Sequence, residues 1–475
     1  MTDNGPIAQG QLVVRNPTTG AELGEVPGAT PERVVEAVSR AAATQADWAR
    51  TPRHERYRVL TSFAAHVAAE RDSLALLLAS ESGKPIAQAE GEIEATIRLW
   101  RNYAERMLAL SEDAHFADNQ PGHEQDLVVT HHEPLGVVGA IIPFNFPSDI
   151  FTHKVAPAIA MGNAVVVKPS EEDPLTVARE VALLIEAGLP EGVVEVIFGG
   201  ADVGSLLAAD DRVAAVSFTG STDAGRSVAQ SAAKRLAPVF LELGGNDAFV
   251  VLDDADVELV VEEAISGRLA MNGQCCISNK RVIVDRRLYS DVVDGLSERF
   301  AKLAVGDPLD RSTELGPLIT EEAAQRVADQ VGDMVSAGAR VTTGGTVDGN
   351  WFAPTVVADI KTTMPVASDV EVFGPVLSVI PVEGTGEAVK VANASRYGLS
   401  GSVFSRDVSR AMAVAMALET GQVVINGTGQ YRAEVAPFGG FKQSGIGREG
   451  LTTSLLELAQ NKNIVLRAMV SSDLR

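Results

Sequence analysis

The chain is 475 residues long, 45 % hydrophobic and 22 % charged, with a formal net charge of −23. That length calls for two or more domains rather than one core, and the composition argues against disorder. The acidic balance argues against a nucleic-acid backbone or an anionic membrane surface as a partner.

The start, Met1-Thr-Asp-Asn-Gly-Pro6, lacks the basic stretch and apolar run of a signal peptide, and no later stretch reads as a membrane span. Residues 12–28 read as short strands and turns around Asn16-Pro-Thr-Thr-Gly20. Thr30-Pro-Glu-Arg33 is a helix start, a Thr cap followed by Pro at the first position. Helical apolar spacing runs to about Trp48, and two more helices are expected at roughly 53–80 and 84–112, separated by Glu81-Ser-Gly-Lys-Pro85. His115 to Gln125 is polar, and Asp126–Glu133 alternates like an exposed strand. His131 and His132 are not expected to share a metal ion, because adjacent side chains on a strand point to opposite faces.

From Pro134 the pattern becomes strand–helix–strand. Gly136–Ile142 is a buried strand that ends at Pro143-Phe-Asn-Phe-Pro147, and a helix carries Ile150 to Met161. Strands follow at Asn163–Lys168, Val193–Phe198 and Ala214–Phe218. A second series has strands at 247–251, 281–284, 376–382, 403–404 and 423–426, with helices near 256–270, 288–303, 386–395 and 407–418. Apolar strands alternating with amphipathic helices predict parallel, doubly wound α/β sheets.

Asn272-Gly-Gln-Cys-Cys-Ile277 holds the two cysteines of the chain, Cys275 and Cys276, and Glu242 stands upstream in Leu241-Glu-Leu-Gly-Gly-Asn246. Two adjacent cysteines supply no disulfide framework, so a reducing, cytoplasmic setting is expected. A thiol and a carboxylate suffice for covalent acyl chemistry: the thiol attacks a carbonyl, and the carboxylate activates the water that releases the acyl group. The loop Thr219-Gly-Ser-Thr-Asp-Ala-Gly225 opens a helix after a strand, which suits a pyrophosphate.

Gly273-Gln-Cys-Cys276 together with Glu242-Leu-Gly-Gly245 resembles the paired signatures of the NAD(P)-dependent aldehyde dehydrogenase superfamily, in its hydrolytic branch. The resemblance covers nearly the whole chain. It implies Cys276 as nucleophile, Asn145 as a side-chain oxyanion donor and Glu242 as general base for thioester hydrolysis. Lys154 and Glu449 are implied as a proton relay, Glu449 closing the long motif Pro437–Glu449. For the cofactor it implies Lys168, Ser170 and Glu171 near the adenosine ribose, Gly220, Ser221 and Gly225 at the phosphates, and Glu371 and Phe373 at the nicotinamide ribose. A glutamate at position 171 repels a 2′-phosphate, so NAD is expected ahead of NADP.

The same resemblance implies a substrate tunnel lined by Phe146, Asp149, Ile150, His153, Cys275, Ile277, Gln430, Arg432 and Phe438. Its polar members point to a small hydroxylated or carboxylate-bearing aldehyde, with Arg432 as a partner for a carboxylate; Asp149 argues the other way unless it and Arg432 pair with each other. Phe146 and Phe438 leave a broad or aromatic-aldehyde reading open, and Cys276 with Glu242 leaves a thiol esterase or a silent nucleotide-binding protein. The expected domains are a cofactor domain of residues 1–115 and 134–244 and a catalytic domain of residues 245–444. An oligomerisation element of residues 116–133 and a C-terminal segment of residues 445–475 complete a homodimer or homotetramer. The hairpin near 116–133 and the tail near 459–472 are expected to pair between or across subunits, and Asn463-Ile-Val-Leu-Arg467 reads as a strand in need of a partner.

Overall fold

The computed structural model describes residues 10–469. Two parallel sheets organise it, as the alternating pattern predicts. In the first sheet, strands β1 (Val137–Ile141), β2 (Ala164–Lys168), β3 (Val194–Val196), β4 (Val213–Thr219) and β5 (Val239–Glu242) run parallel in the order β5-β4-β1-β2-β3. The central strands β1 and β2 are apolar up to Lys168 because both faces are covered. Val138, Ala140, Val165 and Val167 point into one core. Val137, Ile141, Ala164 and Val166 point into another, on the opposite face. The helices that cover these faces are α1 (Pro31–Arg50), α2 (Arg53–Ala69), α3 (Arg71–Ser82), α4 (Ile86–Ala109), α5 (Pro147–Ala160), α6 (Leu175–Glu186), α7 (Ala201–Ala209) and α8 (Thr222–Ala233). The helix expected at 53–80 is two helices, broken at Glu70 (φ −103°, ψ 13°), where no Gly or Pro marks the boundary.

The second sheet has seven strands: β6 (Ala248–Val251), β7 (Arg281–Asp285), β8 (Arg340–Thr343), β9 (Thr355–Ala358), β10 (Val376–Val382), β11 (Gly401–Phe404) and β12 (Val424–Ile425). Their order is β8-β9-β10-β7-β6-β11-β12, parallel except for β8. The segment that precedes β8 holds a helix the periodicity reading passed over, α9 (Glu321–Ser336), which Thr320 caps by accepting from the Ala323 amide at 3.1 Å.

Strands Asp113–Phe116, Leu127–Pro134 and Ala459–Leu466 form a separate antiparallel sheet with Leu127–Pro134 in the middle. The tail strand thus finds its partner within its own chain, in register from Ala459–Pro134 to Leu466–Leu127. The hairpin begins at Asp113, three residues before the expected element, and the expected tail end at 470–472 lies outside the described residues. His131 and His132 serve different partners: His131 faces Glu112 at 3.3 Å and His132 faces Asn461 at 2.8 Å. Gly445–Ile446 returns to the first sheet and pairs antiparallel with Leu241-Glu242.

The register of the first sheet sets the location of the site. Ile141 pairs with Lys168 and Phe218, and Thr219 with Glu242, so the carboxyl ends of β1, β2, β4 and β5 share one edge. The chain order reverses between β1 and β4, and open α/β sheets bind ligands at such a switch point. Among the described residues no helix is long and apolar enough to cross a membrane.

Candidate active site

The cysteine loop leaves its helix through a left-handed turn. Met271 (φ 48°), Asn272 (φ 57°) and Gly273 (φ +81°) are consecutive residues in that region. For a non-glycine this costs about 1–3 kcal/mol, and the surroundings must hold it. They do so through side chains far apart in sequence. Asn272 donates to the carbonyls of Gly83 and Pro317 at 2.8 Å each and accepts from the Gly316 amide at 2.8 Å. Gln88 accepts from the Met271 amide at 2.8 Å, and Gln274 from the Ile319 amide at 3.1 Å. A β-carbon on Gly273 would lie 2.3 Å from the Gly374 carbonyl carbon, so that position needs glycine twice over.

Cys275 is buried and Cys276 half-buried, and neither is in a disulfide. The Lys280 ammonium donates to both of their carbonyl oxygens, at 3.0 and 2.5 Å. The two thiols share a hydrogen bond that pulls Cys275 down to about 7 and pushes Cys276 up, burial adding to the rise. Lys280 favours the thiolate of either. The pair therefore holds one negative charge at most near neutrality.

The turn after Glu242 meets this loop at Gly245. A β-carbon on Gly245 would stand 2.8 Å from the Cys276 carbonyl oxygen, and one on Gly244 would stand 2.4 Å from a Glu371 carboxylate oxygen. The two glycines let the turn after β5 fit between the nucleophile's backbone and Glu371. Glu371 accepts from the Gly245 amide at 3.3 Å and pairs with Lys280 at 3.2 Å. Glu242 is buried, and its Oε2 has no hydrogen-bond partner among the described residues. Burial, then the Glu449 charge, raises its carboxyl well above the usual range, while Lys154 and Arg432 oppose the rise.

Asn145 closes the loop from the other side. Its Nδ2 donates to the Gln274 carbonyl at 3.1 Å and keeps a second N–H. Behind it stands Lys84, which the sequence reading took only as part of a helix break. Lys84 is buried, donates to the Asn145 carbonyl at 2.8 Å, pairs with Glu92 and lies 4.6 Å from the Phe146 ring centroid. Glu92 in turn accepts from the amides of Ser148 and Asp149, at 3.0 and 3.2 Å, and so caps α5.

Helix α5 carries Asp149, His153 and Lys154. The buried Lys154 donates to Ser217 at 3.1 Å and reaches Glu449 at 3.5 Å. The other Glu449 oxygen accepts from Arg432 at 2.7 Å. Burial alone would raise Glu449, but Lys154 and Arg432 outweigh it and hold the carboxyl at about 2. Lys154 itself is lowered by burial. Arg432 is therefore not the free cation that a carboxylate partner requires: Glu449 already holds it, and Asp149 flanks it at 3.7 Å.

Phe146, Phe438, Ile277, Leu399 and the two cysteines pack as one apolar cluster, and the Arg432 guanidinium lies 4.3 Å from the Phe438 ring centroid. Phe146 also borders a cavity of about 300 Å³ whose wall includes Gln88, Asp149, His153 and Arg432. Ile150 is buried in the α-helical core. Gln430 turns its amide to the Gly267 carbonyl at 2.8 Å. Both are accounted for by structure rather than by a substrate.

A second cleft, of about 480 Å³, lies at the shared strand edge and is lined by Lys168, Ser170, Glu171, Gly220 and Ser221. Lys168 and Glu171 pair across 3.3 Å. Ser221 caps α8 by accepting from the Ala224 amide at 3.3 Å. A β-carbon on Gly220 would lie 2.6 Å from the Phe218 ring, which keeps this turn close to the strand. A donor and an acceptor for ribose hydroxyls, Lys168 and Glu171, and a helix N-terminus for a pyrophosphate fit a dinucleotide. Phe144 borders the cleft and meets Phe373 edge-on at 6.2 Å, linking it to Glu371 and the cysteine loop. Gly225 does not border the cleft: a β-carbon there would lie 2.5 Å from Leu243, so this glycine serves helix packing. Lys84, Lys280 and Tyr103 are the site residues that sequence reasoning missed: Lys84 and Tyr103 act over a long sequence separation, and Lys280, four residues after Cys276, depends on the fold of the loop to turn back under it.

The aldehyde dehydrogenase family model matches residues 7–464. Glutarate-semialdehyde dehydrogenase of Pseudomonas putida is 38 % identical over 454 residues, covering 94 % of this chain and 92 % of the relative. An NAD-dependent aldehyde dehydrogenase of Sinorhizobium meliloti is 35 % identical with a TM-score of 0.93, covering 97 % of this chain and 92 % of that one. An NADP-dependent glyceraldehyde-3-phosphate dehydrogenase of Bacillus halodurans, solved with NADP, is 34 % identical with a TM-score of 0.93, covering 96 % of each chain.

Proposed function

The chain belongs to the aldehyde dehydrogenase family and is an NAD(P)-dependent aldehyde dehydrogenase, and on that premise we propose that it oxidises a small polar aldehyde to its carboxylic acid through Cys276. The observation that carries the reading is the fit of Gly245 against the Cys276 carbonyl, which brings the turn after Glu242 against the thiol loop.

The Cys276 thiolate attacks the aldehyde carbon, with Lys280 favouring the anion. The spare N–H of Asn145 and the Cys276 amide stabilise the oxyanion of the thiohemiacetal, and one such donor contributes about 3–4 kcal/mol. A bound nicotinamide supplies the hydride acceptor. Lys168, Ser170, Glu171, Gly220 and Ser221 hold the adenosine and phosphate end, and Glu371 and Phe373 the nicotinamide ribose. Glu242 then takes a proton from the water that attacks the thioester, the acid leaves and the thiol is regenerated. Lys154 and Glu449 carry that proton away from Glu242.

The Glu171 carboxylate supports NAD over NADP, because it disfavours a 2′-phosphate, and Lys168 is the one cation among the described residues lining that cleft. Relatives use either coenzyme. A polar substrate is supported by Asp149, His153 and Arg432 in the cavity wall and by relatives named for glutarate semialdehyde and glyceraldehyde 3-phosphate. The exposed strand Ala459–Leu466 supports assembly into a homo-oligomer. The test is NAD(P)H production at 340 nm with a panel of aldehydes, wild type against Cys276→Ala. Aldehyde-dependent reduction that the variant loses supports the proposal, and turnover retained by the variant overturns it.

A further inference from the structure

Asp149 sits in the cavity wall in an unusual way. Its Oδ2 lies 3.7 Å from Arg432, and its Oδ1 lies 3.8 Å from His153 Nε2. Both distances are too long for direct hydrogen bonds. A hydroxyl oxygen about 2.8 Å from both partners fits each pair when it sits to one side of the line joining them, donating to the carboxylate and accepting from the opposite N–H. His153 is buried and neutral near pH 7, since burial and the Arg432 charge hold it down to about 4. Its Nε2 faces the carboxylate, which favours the tautomer with the hydrogen there, and its Nδ1 lies 3.0 Å from the Tyr103 hydroxyl.

The charges of this wall weigh against an anionic substrate. Each cation there already holds a carboxylate: Arg432 holds Glu449, Arg98 holds Glu434, and Lys84 beneath Phe146 holds Glu92. A carboxylate entering beside Arg432 would meet Asp149 and Glu449, three anions around one guanidinium. A hydroxyl needs no free charge. It needs an acceptor and a donor about 4 Å apart, and the wall offers that arrangement twice on one carboxylate.

We propose that Asp149, with Arg432 and His153 on either side, selects uncharged hydroxylated aldehydes, each substrate hydroxyl bridging the Asp149 carboxylate and one flanking donor. This rests on the aldehyde-oxidising reading of the site and names its substrate class. Asp149 and His153 are specificity residues; the reacting carbon stays at Cys276.

The test begins with the wild-type enzyme and NAD, comparing glyceraldehyde, propanal and succinic semialdehyde. Glyceraldehyde is expected to show a kcat/KM at least about tenfold above either of the others. A semialdehyde preferred over glyceraldehyde would overturn the proposal. In Asp149→Asn, the ratio of the glyceraldehyde KM to the propanal KM is expected to rise about tenfold with kcat moving much less, the split that a lost ground-state contact gives. An unchanged ratio in the folded variant also overturns it. Calorimetric binding of glyceraldehyde to Cys276→Ala, weakened about tenfold when Asp149→Asn is added, reads the same contact without turnover. If no aldehyde is oxidised while that binding persists, the chemistry assigned to Cys276 has failed and the hydroxyl site has not.

Discussion

Glu242 stands opposite Thr219 across the parallel pair β4–β5, and its carbonyl oxygen accepts from the Gly220 amide at 3.0 Å. The residue assigned to hydrolysis and the turn assigned to the coenzyme phosphates are therefore one rigid unit of the first sheet. The carboxylate end of that unit is buried and raised in pKa, so a proton must leave Glu242 before it can act as a base.

This gives the first prediction. Hydrolysis should speed up with rising pH through the raised Glu242 pKa, while the steps before it do not follow that titration. Glu242→Gln should still release about one equivalent of NADH per subunit in a burst. Its steady-state turnover should fall by about 10²–10⁴-fold, the usual worth of a general base. Stopped-flow absorbance at 340 nm separates the two phases.

The shared hydrogen bond of the cysteines gives the second. Cys275→Ala removes the bond that pushes the Cys276 thiol up. The iodoacetamide reaction of the native protein should then titrate at lower pH than in wild type. Turnover should stay within about tenfold, whereas Cys276→Ser should lose at least about a thousandfold. The pH profile of alkylation checks both.

Glu171 lines the cofactor cleft beside Lys168. Replacing it by Gln removes the charge that opposes a 2′-phosphate and frees the lysine. The ratio of kcat/KM for NADP to that for NAD should rise about tenfold, equal to about 1.4 kcal/mol. Initial rates with each coenzyme measure it.

Asp173 is fully buried, with neither carboxylate oxygen hydrogen-bonded among the described residues. Burial, with Glu81 nearby, raises its pKa well above the usual range. Glu81 and Glu180 are likewise raised, to about 7 and about 8, chiefly by burial. A group that holds its proton in the folded state and loses it in the unfolded one makes stability fall as pH rises from the unfolded pKa toward the folded one. The protein should therefore melt at lower temperature at pH 8 than at pH 5. Asp173→Asn, which cannot ionise, should narrow that difference, and calorimetric scans at the two pH values test it.

Much of the site was legible in the sequence because its parts are local. Asn145 between two prolines, Glu242 before two glycines and Cys276 in an amide-rich loop each need their neighbours for a backbone reason. Gly244, Gly245 and Gly273 are the places where a β-carbon would strike Glu371, Cys276 or Gly374. The strands β1, β2, β6 and β7 were equally plain, since burial on both faces requires an unbroken apolar run. Contacts that depend on how a loop folds back or on distant segments left no such trace. Lys280 and Lys84 read as ordinary lysines, and only folding shows one under the cysteine carbonyls and the other under Asn145. Gly225 has a packing reason that the sequence did not show. It sits in the phosphate-loop pattern, yet Leu243 occupies the space a side chain would need. The break at Glu70 carries no turn residue, so periodicity alone ran two helices into one.

The central claim is that Cys276 carries the acyl group. The direct measurement is a single turnover of Glu242→Gln with aldehyde and NAD, followed by intact mass and fragment mapping of the peptide that holds both cysteines. The account predicts one acyl adduct per subunit, on Cys276, forming with the NADH burst. NADH release without an adduct, or an adduct on Cys275, would contradict it.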